Sequence, residues 1–207
     1  MDRRSLIAAF AGLAATGACR AGSTPQPVAD LYDCEGCEGA RERVAARLRP
    51  SARIHADGEP GEPLVVTGIV RAAGTGAPVP GVVVYAYHTN AAGLYAGGTP
   101  ETEWSRRHGR LRGWVKTGAD GRYRFETIKP GPYPNETLPA HVHLTVLEPG
   151  RPPYWIDDIV FAGEFGVDAK YRAERVNRGG NGIISLARTA DGRLLAVRDI
   201  HLERHPA

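Results

Sequence analysis

His141 and His143 stand two residues apart in the segment Pro130–Val146, "PGPYPNETLPAHVHLTV", and Tyr133 precedes them on a Pro-Gly loop. Residues i and i+2 of a strand face the same side, so the two imidazoles project together. Pro139 suits the start or edge of such a strand. Two neutral imidazoles on a stiff backbone make half a metal site, each offering one free ring nitrogen. The remaining ligands could come from Tyr, Asp, Glu or Cys, and the cysteine pair a hundred residues upstream is better spent on a disulfide. Asp157 and Asp158 follow in the next apolar run, and a carboxylate with two histidines suits zinc or ferrous iron. Tyr95 and Tyr133 each follow a glycine by two residues. A phenol, with an ordinary pKa of about 10, ligates as phenolate and so calls for a hard, strongly Lewis-acidic ion. Ferric iron fits that description and zinc fits it poorly. Spacing alone leaves both ligand sets open, beside a packing role in which one histidine is buried and the other faces solvent.

These residues need rigid elements to hold them. The runs "PLVVTGIVRA", "GVVVYAYHT", "GRYRFETI", "AHVHLTVLE", "WIDDIVFA", "GIISLART" and "GRLLAVRDIHL" are rich in β-branched and aromatic residues. Gly/Pro turns separate them, so they read as strands. "ADGR" precedes a strand twice, at 119–122 and 190–193, and Asp-Gly is a hairpin signal. The pattern predicts an all-β antiparallel sandwich of about seven to nine strands with long loops. At most one short helix is expected, over Glu38–Leu48 near the N-terminus. The polar stretch between Tyr95 and Gly113 reads as a long loop.

The chain has 207 residues, 42% hydrophobic and 24% charged, enough for one domain with a proper core. Gly and Pro make up about a fifth of it, which suits loops better than helices. The net charge of +3 and the scattered arginines give no nucleic-acid footprint. The start, "MDRRSLIAAFAGLAATGAC", pairs Arg3-Arg4 with a short apolar run and resembles a twin-arginine export signal. Residues 1–20 are therefore expected to be an export signal, 21–62 a tether with a short helix, and 63–207 the sandwich. "TGAC" resembles a lipoprotein processing site, which makes Cys19 a lipidation candidate and a lipid anchor the only expected membrane contact. The expected location is periplasmic or otherwise extracytoplasmic. Cys34 and Cys37, in "CEGC", have no second cysteine pair to complete a zinc site, and in an exported chain they are expected to form a local disulfide.

"GVVVYAYHTNAAGLY", "GWVKTGADGRYRFETIKPGPYPN" and "PAHVHLTV", taken in order over roughly residues 64 to 165, resemble the intradiol ring-cleavage dioxygenases, the family of protocatechuate 3,4-dioxygenase and catechol 1,2-dioxygenase. The resemblance implies a prealbumin-like β-sandwich with a mononuclear non-haem ferric ion, Fe(III). By motif the ligands are Tyr95, Tyr133, His141 and His143. Tyr133 is the tyrosinate that leaves the metal to take a substrate proton. The implied partners are a catecholic substrate and O2, with no nucleic acid, and a homo-oligomer stays open.

The chain departs from that pattern around the substrate. Catechol dioxygenases usually place an arginine where Leu138 stands and a glutamine where Asp158 stands. Arg106, Arg107, Arg110 and especially Arg112, from the long loop, are candidates to replace the missing cation. Leu138, Asp158 and Arg112 are thus the expected substrate-pocket residues. His88 and His108 are expected at the surface or behind the ligands. Two competing readings remain: an exported sandwich that binds a metal or ligand without cleaving rings, and a copper, zinc or hydrolytic site on His141, His143 and Asp158.

Overall fold

A computed structural model describes residues 27–206. Its two sheets pack face to face. The first is organised by β2 (Pro63–Arg71), which pairs antiparallel with β5 (Arg122–Ile128) from Pro63↔Ile128 to Ile69↔Arg122. Beyond these lie β1 (Ser51–Arg53), β9 (Ala187–Arg188), β10 (Leu194–Val197) and β11 (Ile200–His201). The second sheet has the order β4-β3-β6-β7-β8, with β3 (Val83–Tyr87), β4 (Arg112–Lys116), β6 (His141–Leu147), β7 (Tyr154–Phe161) and β8 (Ile183–Ile184).

Period-two alternation decides what each face carries. Val66, Val70 and Phe125 of the first sheet meet Val84, Val115, Val142, Leu144 and Val146 of the second in one core. The outer face of the second sheet is different. There Val83, Tyr85 and Trp114 form a smaller cluster with Ala40 of the N-terminal segment. Val142, Leu144 and Val146 point inward, so His141, His143 and Thr145 stand on this outer face. Burying the inward set commits the register, because a slip of one residue would turn the histidines into the core.

The described residues form eleven strands, more than the pattern suggested, because two apolar runs each divide and β1 and β4 lie outside the seven runs. "GIISLART" splits into β8 and β9, one in each sheet. "GRLLAVRDIHL" splits into β10 and β11, both parallel to β2. The interruption is chemical. The Ile69 N–H donates to the Asp199 carboxylate at 3.0 Å, where a backbone carbonyl would otherwise sit. Gly68 permits the approach, since a Cβ there would lie 1.9 Å from the Arg198 carbonyl oxygen. The pairs β1–β5 and β7–β8 are also parallel, while the long ladders are antiparallel.

The helix expected over Glu38–Leu48 is instead two 3₁₀ turns, Cys37–Arg41 and Ala45–Arg47. Neither has a side-chain N-cap, and single turns without tertiary help do not extend. Two short α-helices also form: α1 (Glu103–His108), inside the stretch read as a long loop, and α2 (Ala169–Glu174), between two of the strand runs. Thr102 and Ser105 form a capping box that starts α1, and Asp168 caps α2. Leu31, assigned from composition to a tether, is fully buried in the main core, and Val28 N–H donates to Arg204 O at 3.1 Å. The segment from Val28 onward is therefore part of the sandwich. No helix among the described residues is long and apolar enough to cross a membrane. The export-signal motif and Cys19 lie outside the described residues.

Candidate metal centre

Two loops are fastened together before any donor atom is placed. The Asn90 side chain accepts from Ala92 N–H and Leu94 N–H, both at 3.0 Å, which closes the turn after β3. Its carbonyl accepts from Gly93 N–H within that turn and from Gly131 N–H across the gap, again at 3.0 Å. Thr89 Oγ1 donates to Gly131 O at 2.7 Å. Both glycines are required by closeness. A Cβ on Gly93 would lie 1.9 Å from Pro132 O, and one on Gly131 would lie 2.4 Å from Ala91 O. Two residues beyond each glycine, the tyrosines meet: Tyr95 Oη and Tyr133 Oη are 2.7 Å apart.

The histidines arrive from β6. His141 Nδ1 lies 2.7 Å from Pro139 O, and a carbonyl can only accept, so Nδ1 carries the proton. His143 Nδ1 lies 3.1 Å from Asp158 Oδ1. A bulge in β7 makes this contact. The register slips between Val142 and Leu144, so that His143 faces the pair Asp157–Asp158. Asp158 then joins His143 on the outer face, while Asp157 turns away to accept from Arg175 Nε at 3.1 Å and Asn177 N–H at 2.8 Å. Both histidines are left with Nε2 as the free nitrogen. The two Nε2 atoms are 3.0 Å apart, and His143 Nε2 is 3.0 Å from Tyr95 Oη and 3.4 Å from Tyr133 Oη.

This donor set fits a hard cation. Donors held about 2.0–2.2 Å from one ion lie about 2.8–3.5 Å from each other, which is the range of the three contacts to His143 Nε2, with the phenol pair at 2.7 Å slightly closer. Nδ1 protons on both rings leave two Nε2 lone pairs facing each other, an arrangement that a cation relieves. Burial pushes the Tyr95 phenol up, and its contact with Tyr133 pushes it further. Burial also raises Tyr133, with the hydrogen bond from Tyr95 offsetting part of this. Neither phenol ionises at neutral pH without a strong Lewis acid beside it. Burial lowers His141 and keeps it neutral, as a ligand must be. Burial would raise Asp158, yet the neighbouring His143 holds its carboxyl below the usual range. His141, His143 and Asp158 can each bring one ligand-type atom within 4.8 Å of the others. However, Asp158 faces Nδ1 of His143, opposite the nitrogen that meets the phenols, so it orients the ring and is not a fifth member of the cluster.

The family model described as Dioxygenase matches residues 40–171. This chain belongs to the intradiol ring-cleavage dioxygenase family. The protocatechuate 3,4-dioxygenase beta chain of Burkholderia cepacia is 41% identical over 97 residues, covering 44% of this chain and 41% of that protein. Catechol 1,2-dioxygenase 1 of Acinetobacter lwoffii is 38% identical over 100 residues, covering 41% of this chain and 31% of that protein. The match thus spans less than half the length of either relative. Among solved structures, the dioxygenase domain of a dioxygenase–carbohydrate-binding fusion from Streptomyces sp. SirexAA-E superposes with a TM-score of 0.54 at 26% identity, over 73% of this chain and 86% of that one.

Seen as an intradiol-family protein, the chain brings Tyr95, Tyr133, His141 and His143 together and leaves the expected substitute cations elsewhere. Arg112 pairs with Glu42, hydrogen-bonds Thr102 Oγ1 at 3.1 Å and lies over the Trp114 ring. Its guanidinium is therefore already engaged by a carboxylate, a hydroxyl and an indole ring. Arg106 pairs with Glu101, Arg107 with Glu35 and Arg110 with Glu59, so each loop arginine already has a carboxylate. Leu138 is 46% exposed on the loop ahead of β6. Cys34 and Cys37 form the expected disulfide. Of the two places expected for them, the surface or behind the ligands, His88 and His108 are not at the surface, since both are buried. His88 is held by Thr89 O and Thr127 Oγ1, both at 2.7 Å, and His108 shares a 2.8 Å hydrogen bond with Tyr85. Sequence reasoning passed over Tyr87, whose ring stacks on His143 at 4.4 Å. Its signal was present in β3, where Tyr85 and Tyr87 alternate with inward-facing residues.

Proposed function

We propose that this protein is an Fe(III)-dependent intradiol dioxygenase that opens a catechol-type ring between its two hydroxylated carbons. The observation that carries the reading is the meeting of Tyr95 Oη, Tyr133 Oη and the Nε2 atoms of His141 and His143, with both Nδ1 positions occupied by Pro139 O and Asp158. Tyr95, Tyr133, His141 and His143 would hold the ion. When bound, the ferric ion supplies Lewis acidity that favours the catechol dianion and draws electron density from its ring. Tyr133 Oη, on the Pro-Gly loop and 2.7 Å from Tyr95 Oη, is the proton acceptor of the set. Its phenolate takes one catechol proton as substrate binds, and the second passes to solvent hydroxide, which completes the dianion. Asp158 holds the His143 ring with Nε2 forward throughout. O2 adds both atoms to the ring carbons, and the product is a muconate-type diacid.

The test is direct. Iron-loaded protein should be red-brown from phenolate-to-iron charge transfer, and it should consume one O2 per catechol with a ring-opened diacid as product. A colourless protein that takes zinc in preference to ferric iron overturns the reading.

A second reading, a metal- or ligand-binding sandwich without ring cleavage, is favoured by one observation. Leu138 stands where related catechol dioxygenases usually keep a cation, and all four loop arginines are already paired. A coloured protein that binds catechol with no O2 uptake decides for it.

We also propose that the chain is exported and works on phenols arriving from outside the cell. Support comes from the Arg3-Arg4 motif and from the Cys34–Cys37 disulfide, which belongs to oxidising compartments. Cell fractionation tests this, with lipid labelling at Cys19 distinguishing an anchored from a released form.

A further inference from the structure

We infer that Tyr87 is a positioning residue for His143, and that His108 and the disulfide-closed segment behind it hold Tyr87 in place. This rests on the iron-site reading above. The two residues are cross-strand neighbours, Tyr87 on β3 opposite His143 on β6. Their rings stack at 4.4 Å with an interplanar angle of 24°. The other face of Tyr87 lies on His108 at 3.9 Å and 9°, so the phenol ring is clamped between two imidazoles.

The need for such a clamp follows from the other contact to His143. A single hydrogen bond from Nδ1 to Asp158 Oδ1 fixes one atom of the ring, but the ring can still rock about that bond. Rocking swings Nε2 off the point it shares with Tyr95 and His141. A flat partner against the ring face removes that freedom, since tilting the imidazole would force it into the tyrosine.

Tyr87 cannot yield, because its backing is anchored. The Tyr85 hydroxyl and His108 Nδ1 are 2.8 Å apart. Trp104 packs on the far side of His108 with ring centroids at 5.2 Å. Gly36 and Gly39 flank the same imidazole so closely that a Cβ on either would come within 3.1 and 3.3 Å of it. Gly36 lies inside the loop that the Cys34–Cys37 bond closes and Gly39 two residues beyond it, and Cys37 Sγ rests 3.8 Å from Thr145 Oγ1, two residues beyond His143. That segment precedes the part of the chain matched by the family model, residues 40–171. The stack therefore runs from the proposed ligand to a brace specified outside the matched core.

The experiment compares Tyr87→Leu, Tyr87→Phe and His108→Leu with the unsubstituted protein. Ferric-ion affinity is read by chelator competition and the site by its visible charge-transfer band. Tyr87→Leu should weaken iron binding by about 10-fold, as loss of a group that orients a ligand does, and shift the band. Tyr87→Phe, which keeps the stack, should restore both. His108→Leu should move both in the same direction as Tyr87→Leu, by less. In the metal-free unsubstituted protein, the His143 ring protons should be shifted upfield by the Tyr87 ring current. A folded Tyr87→Leu protein with unchanged affinity and band, or the absence of that upfield shift, overturns the inference. If the unsubstituted protein shows the upfield shift but no iron band, it is the iron reading that fails, and the stack stands without it.

Discussion

Asp158 and His143 meet at 3.1 Å through Oδ1 and Nδ1, on the side of the imidazole away from the tyrosines. That relationship assigns the carboxylate a different task from ligation. It accepts the Nδ1 proton and so presents Nε2 as the free donor. Asp158→Ala should therefore lower ferric-ion affinity by about 10–100-fold while leaving the visible band in place where iron is bound. Asp158→Asn, which keeps an acceptor but not the charge, should fall between. Equal affinity for all three in a chelator titration would remove Asp158 from the site's support.

The two phenols should be separable by spectroscopy. Their hydroxyls are 2.7 Å apart, and each contributes its own charge transfer once ionised. Tyr95→Phe and Tyr133→Phe should each shift and weaken the visible band, and the double variant should be colourless. A double variant that keeps the band would show that the colour has another source.

Gly93 should matter as much as either tyrosine. With a Cβ placed 1.9 Å from Pro132 O and a φ of 79°, alanine at this position must push the two loops apart. Gly93→Ala should cost about 3 kcal/mol of stability and reduce iron affinity with it. Chemical denaturation and chelator competition on the same preparation check both effects. Unchanged values would mean that the loops tolerate separation.

His88 makes stability depend on pH. It is buried, and burial holds it down to about 4 against an ordinary value of 6.5. Above pH 6.5 the ring is neutral in both folded and unfolded chains and contributes no pH dependence. As pH falls from 6.5 towards 4, the unfolded chain takes up the proton and the folded one does not, so stability is lost across that window. The loss is at most about 3 kcal/mol. Denaturation midpoints at pH 7 and pH 4.5 should show the fall, and His88→Gln should flatten part of it. A profile identical in both proteins would assign the pH dependence elsewhere.

Arg112 should affect stability and leave the chemistry intact. Its side chain is 8% exposed and pairs with Glu42, itself 20% exposed, and breaking such a pair strands a charge. Arg112→Ala should destabilise by about 2–3 kcal/mol with turnover per folded molecule unchanged. A large fall in turnover with no loss of stability would return Arg112 to the substrate pocket.

Much of this was legible in the residues themselves. Alternation along "AHVHLTV" determined that His141 and His143 share a face, because strand geometry leaves no other choice. The glycines two residues before Tyr95 and Tyr133 marked turns, and the strand runs determined an all-β core. What the sequence could not contain was distance across the chain. The slip in β7 that sets Asp158 behind His143 is a property of two strands in register, and no single strand displays it. Likewise, one-dimensional proximity made the loop arginines look available to the site, whereas each is held by a carboxylate between 5 and 72 residues away in the chain. Tyr87 gained its place only when β3 paired with β6 and α1 laid His108 against it. Local chemistry is written in residue order, because neighbours constrain each other through the backbone. The orientation of a ligand ring is decided by what packs on its faces, and those partners are brought there by the fold.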